Sequence, residues 1–136
     1  MLLDSGTSNL LSVQRALDHV GADVVIADQP SMLDDADRLI LPGVGAFGHC
    51  VANLIENGLF DAVLDYARRE RPLLGICVGM QMLFDGSEEF GWNDGLGLLP
   101  GRVQPIPMSG ADGGRHKIPH IGWATLERSG PDWAGT

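Results

Sequence analysis

The segment at residues 72–79, which reads PLLGICVG, constrains the fold of this chain more than any other. It joins an apolar run, typical of a buried parallel strand, to a helix-like stretch that begins near Met80. Gly75 and Gly79 flank Cys77 at the spacing of a nucleophile elbow, with Cys in the usual Ser position. Such a turn is so sharp that side chains at the flanking positions would strike neighbouring backbone. The segment therefore predicts a strand, a tight turn that carries Cys77, and a helix.

The rest of the chain alternates short apolar runs with amphipathic stretches, which is typical of an α/β protein. The apolar runs predict parallel strands at residues 2–3, 24–27, 38–41 and 72–76, the last of them central in the sheet. Helical spacing predicts helices from about Asn9 to Val20, after Gly45, and over residues 61–69. In the second helix, the side chains predicted to face the core are Phe47, Val51, Leu54 and Ile55.

Beyond Gln81 the pattern changes. Residues 86–97 predict a polar, glycine-bearing loop, and residues 101–114 contain two prolines and several glycines. Short extended pieces near residues 103–104 and 118–121 are assigned to an antiparallel side of the same sheet. Nothing in the pattern indicates a repeat or a second domain, so a single domain over residues 1–136 is predicted.

Composition narrows the classes of partner and compartment. A chain of 136 residues with 44% hydrophobic residues can bury one core. The formal net charge of −9 argues against nucleic acid or an anionic membrane as partner, because both require basic patches. No apolar run approaches a membrane span, and the start has no signal-peptide pattern. With only Cys50 and Cys77, a reduced cytoplasmic setting is expected.

The nucleophile-elbow pattern predicts that Cys77 is a catalytic nucleophile. Amides at the start of the following helix would favour the reactive thiolate, and the N–H of Val78 would face a developing oxyanion. The alternative is that Cys77 is a buried structural cysteine, but the two glycines, the preceding strand and the following helix favour a nucleophile. Cys50 has none of these features and is predicted to be a core or helix-surface residue.

The sequence GVGAFG at residues 43–48 has the form G-x-G-x-x-G, which alone would suggest a dinucleotide site. Three features argue against that interpretation: Pro42 stiffens the strand end, the motif is not on the first strand, and the next strand leads to Cys77. A turn whose amides complete an oxyanion hole beside the elbow fits better. A plain tight turn remains an alternative.

Three blocks of this sequence resemble the glutaminase subunits of imidazole glycerol phosphate synthase, a family of class I glutamine amidotransferases. The blocks are PGVGAF at 42–47, GICVGMQ at 75–81 and PHIGW at 119–123, and the similarity extends from the first strand to about Leu126. Anthranilate-synthase-type relatives tend to carry Pro and His where this chain has Val44 and Met80. The resemblance therefore points to one branch of the superfamily.

The resemblance implies a flavodoxin-like, three-layer, mostly parallel sheet, incomplete at the C-terminus. It also implies hydrolysis of glutamine to glutamate and ammonia, without a cofactor or metal. The ammonia would pass to a cyclase partner of the (β/α)8-barrel type, in a heterodimer of histidine biosynthesis.

The roles carried over by position fall into three groups. Cys77 would be the nucleophile, with oxyanion-hole amides from Val44 and Val78. The residues that would hold glutamine are Gln81 and Glu89, with Gly45 lining the pocket. Residues expected to face the cyclase are Asn9, His120 and Trp123, although a half-buried core Trp and a solvated Glu89 are the alternatives.

The family places its catalytic histidine and glutamate in a late block, and this chain reaches Thr136 before such a block. We therefore expect the 136-residue chain to have little or no glutaminase turnover alone, because the thiol needs an adjacent base.

Two rival functions are weighed against this one. The first is a stand-alone hydrolase of the α/β-hydrolase type, with Cys77, Asp112 and His116 in that fold's order. It is disfavoured because Asp112 and His116 lie four residues apart in one glycine-rich stretch. The second is a non-catalytic binding module on the same scaffold. A zinc site at His116 and His120 is disfavoured because Pro119 interrupts any helix between them.

Overall fold

The structure is a computed structural model that describes residues 1–110, 113–119, 121–123 and 125. It contains two compact units, Met1–Gln104 and Pro105–Thr136. The single domain over residues 1–136 remains a prediction from the sequence. The elements of the first unit are β1 (Leu2–Leu3), α1 (Leu10–His19), β2 (Ile26–Ala27), a 3-10 helix (Pro30–Asp35), β3 (Leu39–Gly43), α2 (Phe47–Glu56), α3 (Leu59–Arg68), β4 (Leu73–Cys77), α4 (Val78–Gln81), β5 (Phe84–Ser87), β6 (Asn93–Asp94) and β7 (Leu99–Val103).

The main sheet of the first unit has the strand order β2-β1-β3-β4, and every pairing in it is parallel. The β3–β4 pairing is the longest and runs without a break from Leu39 opposite Leu73 to Gly43 opposite Cys77. This arrangement confirms the four predicted strands and the α/β class. Because the strands are parallel, their carboxyl ends lie at one edge of the sheet, and Gly43 and Cys77 meet there.

A buried cluster joins the sheet to α2 and α3. Its fully buried side chains include Leu3, Leu39, Leu41, Phe47, Leu54, Leu59, Val63 and Tyr66. The prediction that Ile55 faces this core is wrong, because its side chain is 58% exposed. The inward face of α2 is formed by Phe47, Cys50, Val51 and Leu54, at spacings of three and four residues. Ile55 is the next residue after Leu54, so its side chain lies further around the helix and points outward.

Tyr66 ties the end of α3 to the segments that precede two strands. Its hydroxyl lies 2.9 Å from the carbonyl oxygen of Pro72 and 3.3 Å from that of Asp37, and it can donate its hydrogen to either. Burial raises the pKa of the Tyr66 phenol, which keeps it in the donating form. The contact helps to hold β3 and β4 in register from their amino ends.

The prediction of a polar loop at residues 86–97 is wrong in part. β5 and β6 form an antiparallel pair, and β7 pairs with β5 in parallel, giving a separate sheet of order β6-β5-β7. Residue Val103 therefore belongs to this second sheet and not to an antiparallel side of the main one. The strands are two to five residues long, and β5 and β7 each contain a glycine, so their sequence carries little alternating signal.

Two predictions about burial in the first unit also differ from the structure. The first helix was predicted from the helical spacing of Leu10, Val13, Leu17 and Val20. The first three of these are only half-buried, and Val20 is 75% exposed. β4, predicted to be central, lies at the edge of the main sheet among the described residues, with Leu74 55% exposed. The side chains of β4 are thus more apolar than their burial among the described residues requires.

The 3-10 helix was not predicted from the sequence, because it is too short to leave a periodic pattern.

The second unit contains a small turn structure. An antiparallel bridge joins Ser109 to Arg115, and the N–H of His116 donates to the carbonyl oxygen of Met108 at 3.0 Å. The Ile118–Pro119 peptide bond is cis. In the parts of both units that the structure describes, no helix is long and apolar enough to cross a membrane.

Leu54 and Ile55 provide a matched test of the α2 packing. We expect Leu54→Ala to lower the free energy of unfolding by about 2–5 kcal/mol, because it leaves a cavity at a fully buried site. The exposed neighbour Ile55→Ala should change it by less than about 1 kcal/mol. Urea denaturation of both variants checks this, and equal losses would contradict the orientation of α2.

Candidate active site

Cys77 is the last residue of β4 and directly precedes α4. Its backbone has φ +57° and ψ −121°, a conformation that non-glycine residues rarely adopt and that costs on the order of 1–3 kcal/mol. The thiol is exposed, whereas Cys50 is fully buried in the core. The alternative that Cys77 is a buried structural cysteine therefore fails. The structure confirms the strand, the sharp turn and the helix predicted from residues 72–79.

Three glycines make this turn possible because the backbones around them are in contact. A methyl group on Gly79 would overlap the carbonyl oxygen of Leu41 in β3, and one on Gly75 would overlap the backbone of Met80. A methyl group on Gly43 would lie 2.7 Å from the amide nitrogen of Gly79. Elbow and neighbouring strand thus interlock through positions that have no side chain, and this holds Cys77 in its strained conformation.

The turn after β3 lies beside Cys77, because Gly43 pairs with Cys77 in the sheet. In this turn Val44 is more than half exposed and Gly45 has φ +119°. The N–H of Val44 donates to the carbonyl oxygen of Thr7 at 2.7 Å, and the Cys50 thiol donates to the Val44 carbonyl oxygen at 3.5 Å. Val44 is therefore in the predicted place, but its amide is engaged in this conformation. A role as oxyanion donor requires the bond to Thr7 to break.

Val78 is the first residue of α4, and no side-chain cap occupies the start of that helix. The predicted support of the thiolate by a helix dipole is smaller than the sequence suggested, because α4 contains only four residues. What the turn offers is a local amide, that of Val78, next to the thiol. Its role toward an oxyanion stays a prediction.

The two residues predicted to hold the substrate lie on α4 and on the turn between β5 and β6. Gln81 ends α4 and is half-buried. Glu89 lies in the turn between β5 and β6, where its Oε2 accepts a hydrogen bond from the N–H of Phe47 at 2.7 Å. Sequence reasoning missed this contact with the start of α2, because the two residues are 42 positions apart and no local pattern connects them.

The Glu89 contact also bears on the G-x-G-x-x-G pattern at residues 43–48. In a dinucleotide site, the pyrophosphate would lie at the amino terminus of the helix that follows. Here the carboxylate of Glu89 accepts from the first residue of that helix. A second anion at the same place would be repelled, which argues further against the dinucleotide interpretation.

The structure describes the other predicted residues only in part. Asn9 caps α1, since its Oδ1 accepts from the N–H of Ser12 at 3.4 Å. His120 and Asp112 lie outside the described residues. Trp123 belongs to the second unit and is fully exposed, and in that unit the Nδ1 of His116 lies 2.6 Å from the Pro107 carbonyl oxygen. The described residues contain no group of three side chains that could hold a metal ion.

Comparison with known proteins agrees with this geometry. The family described as glutamine amidotransferase class-I matches residues 1–129, so the chain belongs to that family. A solved glutamine amidotransferase structure matches 76% of this chain and 55% of its own with a TM-score of 0.65 at 21% identity. The predicted flavodoxin-like α/β fold is confirmed.

The three relatives described next are HisH subunits of imidazole glycerol phosphate synthase. This chain is 46% identical over 137 residues to imidazole glycerol phosphate synthase subunit HisH 1 of Legionella pneumophila (strain Lens), covering 99% of this chain and 64% of the relative. The HisH subunit of Geobacillus sp. (strain WCH70) is 50% identical over 125 residues, covering 92% and 59%. That of Wolinella succinogenes is 48% identical over 122 residues, covering 90% and 59%. The resemblance stated from the motifs is confirmed, and the chain spans about 59–64% of the length of these relatives.

Gly79 tests the interlock of the elbow with β3. We expect Gly79→Ala to destabilise the chain by about 3 kcal/mol or more, the upper end of overpacking effects, because the added methyl meets backbone that cannot yield. Gly122→Ala is the matched control, since nothing lies near a methyl group there. The free energy of unfolding measured in urea checks both, and a Gly79→Ala variant as stable as the control would contradict the interlock.

Proposed function

We propose that this chain provides the glutaminase site of an imidazole glycerol phosphate synthase, which hydrolyses glutamine to glutamate and ammonia. The observation that carries the proposal is the exposed Cys77 at φ +57°, on a turn interlocked with the glycine turn of β3. A strained, exposed cysteine at the carboxyl edge of a parallel sheet suits a nucleophile far better than a structural residue. Similarity to the HisH subunits supports the choice of imidazole glycerol phosphate synthase among the amidotransferases.

In the proposed reaction, the Cys77 thiol loses its proton to a base and its sulfur attacks the side-chain amide carbon of glutamine. The new S–C bond forms while the carbonyl electron pair moves to oxygen, which accepts hydrogen bonds from the N–H groups of Val78 and Val44. Return of that pair breaks the C–N bond, and the nitrogen leaves as ammonia after taking up a proton. Water then hydrolyses the thioester to glutamate and restores the thiol.

The base is not among the groups described around Cys77. In the described part of the chain, no side chain hydrogen-bonds the Cys77 thiol. The family resemblance implies a histidine oriented by a glutamate, and we propose that such a pair completes the site. Val44 also has to exchange its bond to Thr7 for one to the oxyanion. Before the described residues can react, the site therefore needs a base beside Cys77 and the release of the Val44 amide from Thr7.

Substrate contacts are proposed for three residues near the elbow. Gln81 is one helical turn beyond Cys77 on α4, and Gly45 lies in the adjacent turn without a side chain that would narrow the pocket. Glu89 supplies a carboxylate for the α-ammonium group of glutamine. Together these groups would contact glutamine both near its α-ammonium group and near its side-chain amide.

The partner we propose is a cyclase subunit with a (β/α)8-barrel fold, bound as a heterodimer in the cytoplasm. Asn9, His120 and Trp123 are the residues proposed to face it. An exposed tryptophan supports this proposal, since aromatic anchors are enriched at the centres of interfaces.

The decisive substitution for the reaction is Cys77→Ala. In the assembled enzyme, we expect it to lower glutamate release by at least about 10³-fold, because it removes the atom that forms the thioester. Glutamate formation from glutamine, with the cyclase partner present, measures this. The 136-residue chain alone should release little glutamate, with or without Cys77.

Titration of the cyclase partner tests one rival function, the non-catalytic module, and a substitution of His116 tests the other, the stand-alone hydrolase. Cys77→Ala should bind the partner as the unmodified protein does, because the substitution leaves the rest of the surface intact. Binding without turnover in the unmodified enzyme would favour the non-catalytic module. Loss of a hydrolase activity in His116→Ala would favour the stand-alone hydrolase.

A further inference from the structure

The amino terminus of α2 lacks a cap from its own segment. Its N-cap residue is Ala46, which has no side-chain hydrogen bond to the helix, and the first turn contains no acidic residue. The first amides of a helix have no partner within it and carry partial positive charge. The cap comes from Glu89, whose Oε2 accepts from the N–H of Phe47 at 2.7 Å. A residue in the β5–β6 turn therefore provides the cap that the segment before α2 lacks.

The turn that carries Glu89 is itself held in place. Ser87 is fully buried, and its Oγ accepts from the N–H of Glu89 at 3.1 Å. The side-chain amide of Asn93 donates to the carbonyl oxygens of Glu89 at 3.0 Å and of Gly91 at 3.1 Å. A methyl group on Gly48 would collide with the side chain of Asn93, so the turn packs directly on the first turn of α2. The carboxylate is thus presented in a fixed position.

The helix start held by Glu89 is also the end of the turn beside Cys77. Only residues 44–46 separate Phe47 from Gly43, which pairs with Cys77. The ring of Phe47 is fully buried, close to Gly95. At the other end of the turn, Val44 is tied to Thr7. The position of residues 44–46 therefore depends on where the Phe47 amide is held.

We propose that Glu89 is a positioning residue for this turn. Its Oε2 fixes the start of α2, and through it the segment 44–46 that borders the thiol. Its Oε1 has no hydrogen bond among the described residues, which leaves this oxygen available for the α-ammonium contact of the proposed function. This second half rests on the proposed function, whereas the positioning role does not. One carboxylate thereby links recognition of the substrate to the geometry of the turn.

Amide hydrogen exchange of the purified chain without glutamine tests the positioning role. In Glu89→Ala, the Phe47 amide should exchange about tenfold faster than in the unmodified chain, because its acceptor is gone. Glu89→Gln should keep most of the protection, since its amide oxygen can accept the same bond. Glu89→Asp should lose it, because its shorter side chain does not reach.

Glu88→Ala is the matched control. Glu88 lies in the same turn but contacts Arg102 and Gln104 instead of α2, so exchange at Phe47 should be unchanged. Unchanged exchange at Phe47 in Glu89→Ala would overturn the proposal. Should that variant fail to fold, the other two decide: equal protection in Glu89→Gln and Glu89→Asp would overturn it.

Kinetics of the assembled enzyme separate positioning from substrate binding alone. Glu89→Gln should raise KM for glutamine and leave kcat nearly unchanged, because it loses the charge but keeps the cap. Glu89→Ala should also lower kcat by about tenfold, since the turn beside the thiol shifts. Equal kcat in the two variants would overturn the link to the reaction. If the exchange rates change as expected but the assembled enzyme has no glutaminase activity, the proposed function is contradicted and the positioning role is supported.

Discussion

The parallel pairing of β3 with β4 is the constraint on which the candidate site depends. It places Gly43 opposite Cys77, so that the turn after one strand and the elbow after the other meet at a single edge. The close approach is possible because Gly43, Gly75 and Gly79 have no side chains where the backbones touch. The strain at Cys77, on the order of 1–3 kcal/mol, persists because the pairing and this interlock leave the residue no relaxed alternative.

The second sheet contributes to the site through its β5–β6 turn. That turn packs on the first turn of α2 and provides the carboxylate of Glu89 to a helix that has no cap of its own. The turn beside the thiol is consequently supported by Thr7 at Val44 and by Glu89 at Phe47. The turn beside the thiol is in this way held by two separate segments of the chain, one on each side of it.

The sequence predicted the features that local patterns encode. Residues 72–79 predicted the elbow, because an apolar strand, two glycines and a cysteine are adjacent in the chain. The second sheet was missed because β6 has only two residues and β5 and β7 contain glycine. The contact of Glu89 with Phe47 spans 42 positions, and the bond of Val44 to Thr7 depends on tertiary folding. Ile55 was misplaced because apolar side chains at neighbouring helix positions cannot all face one core.

The role of Cys77 as the nucleophile on a strained turn is tested by a crystal structure of the protein after reaction with a chloroketone analogue of glutamine. We expect a covalent bond to the Cys77 sulfur, with positive φ retained at that residue. The analogue's carbonyl oxygen should lie about 2.7–3.1 Å from the amide nitrogen of Val78. Attachment to another residue, or a relaxed Cys77 whose adduct points away from the turn at residues 43–45, would contradict it.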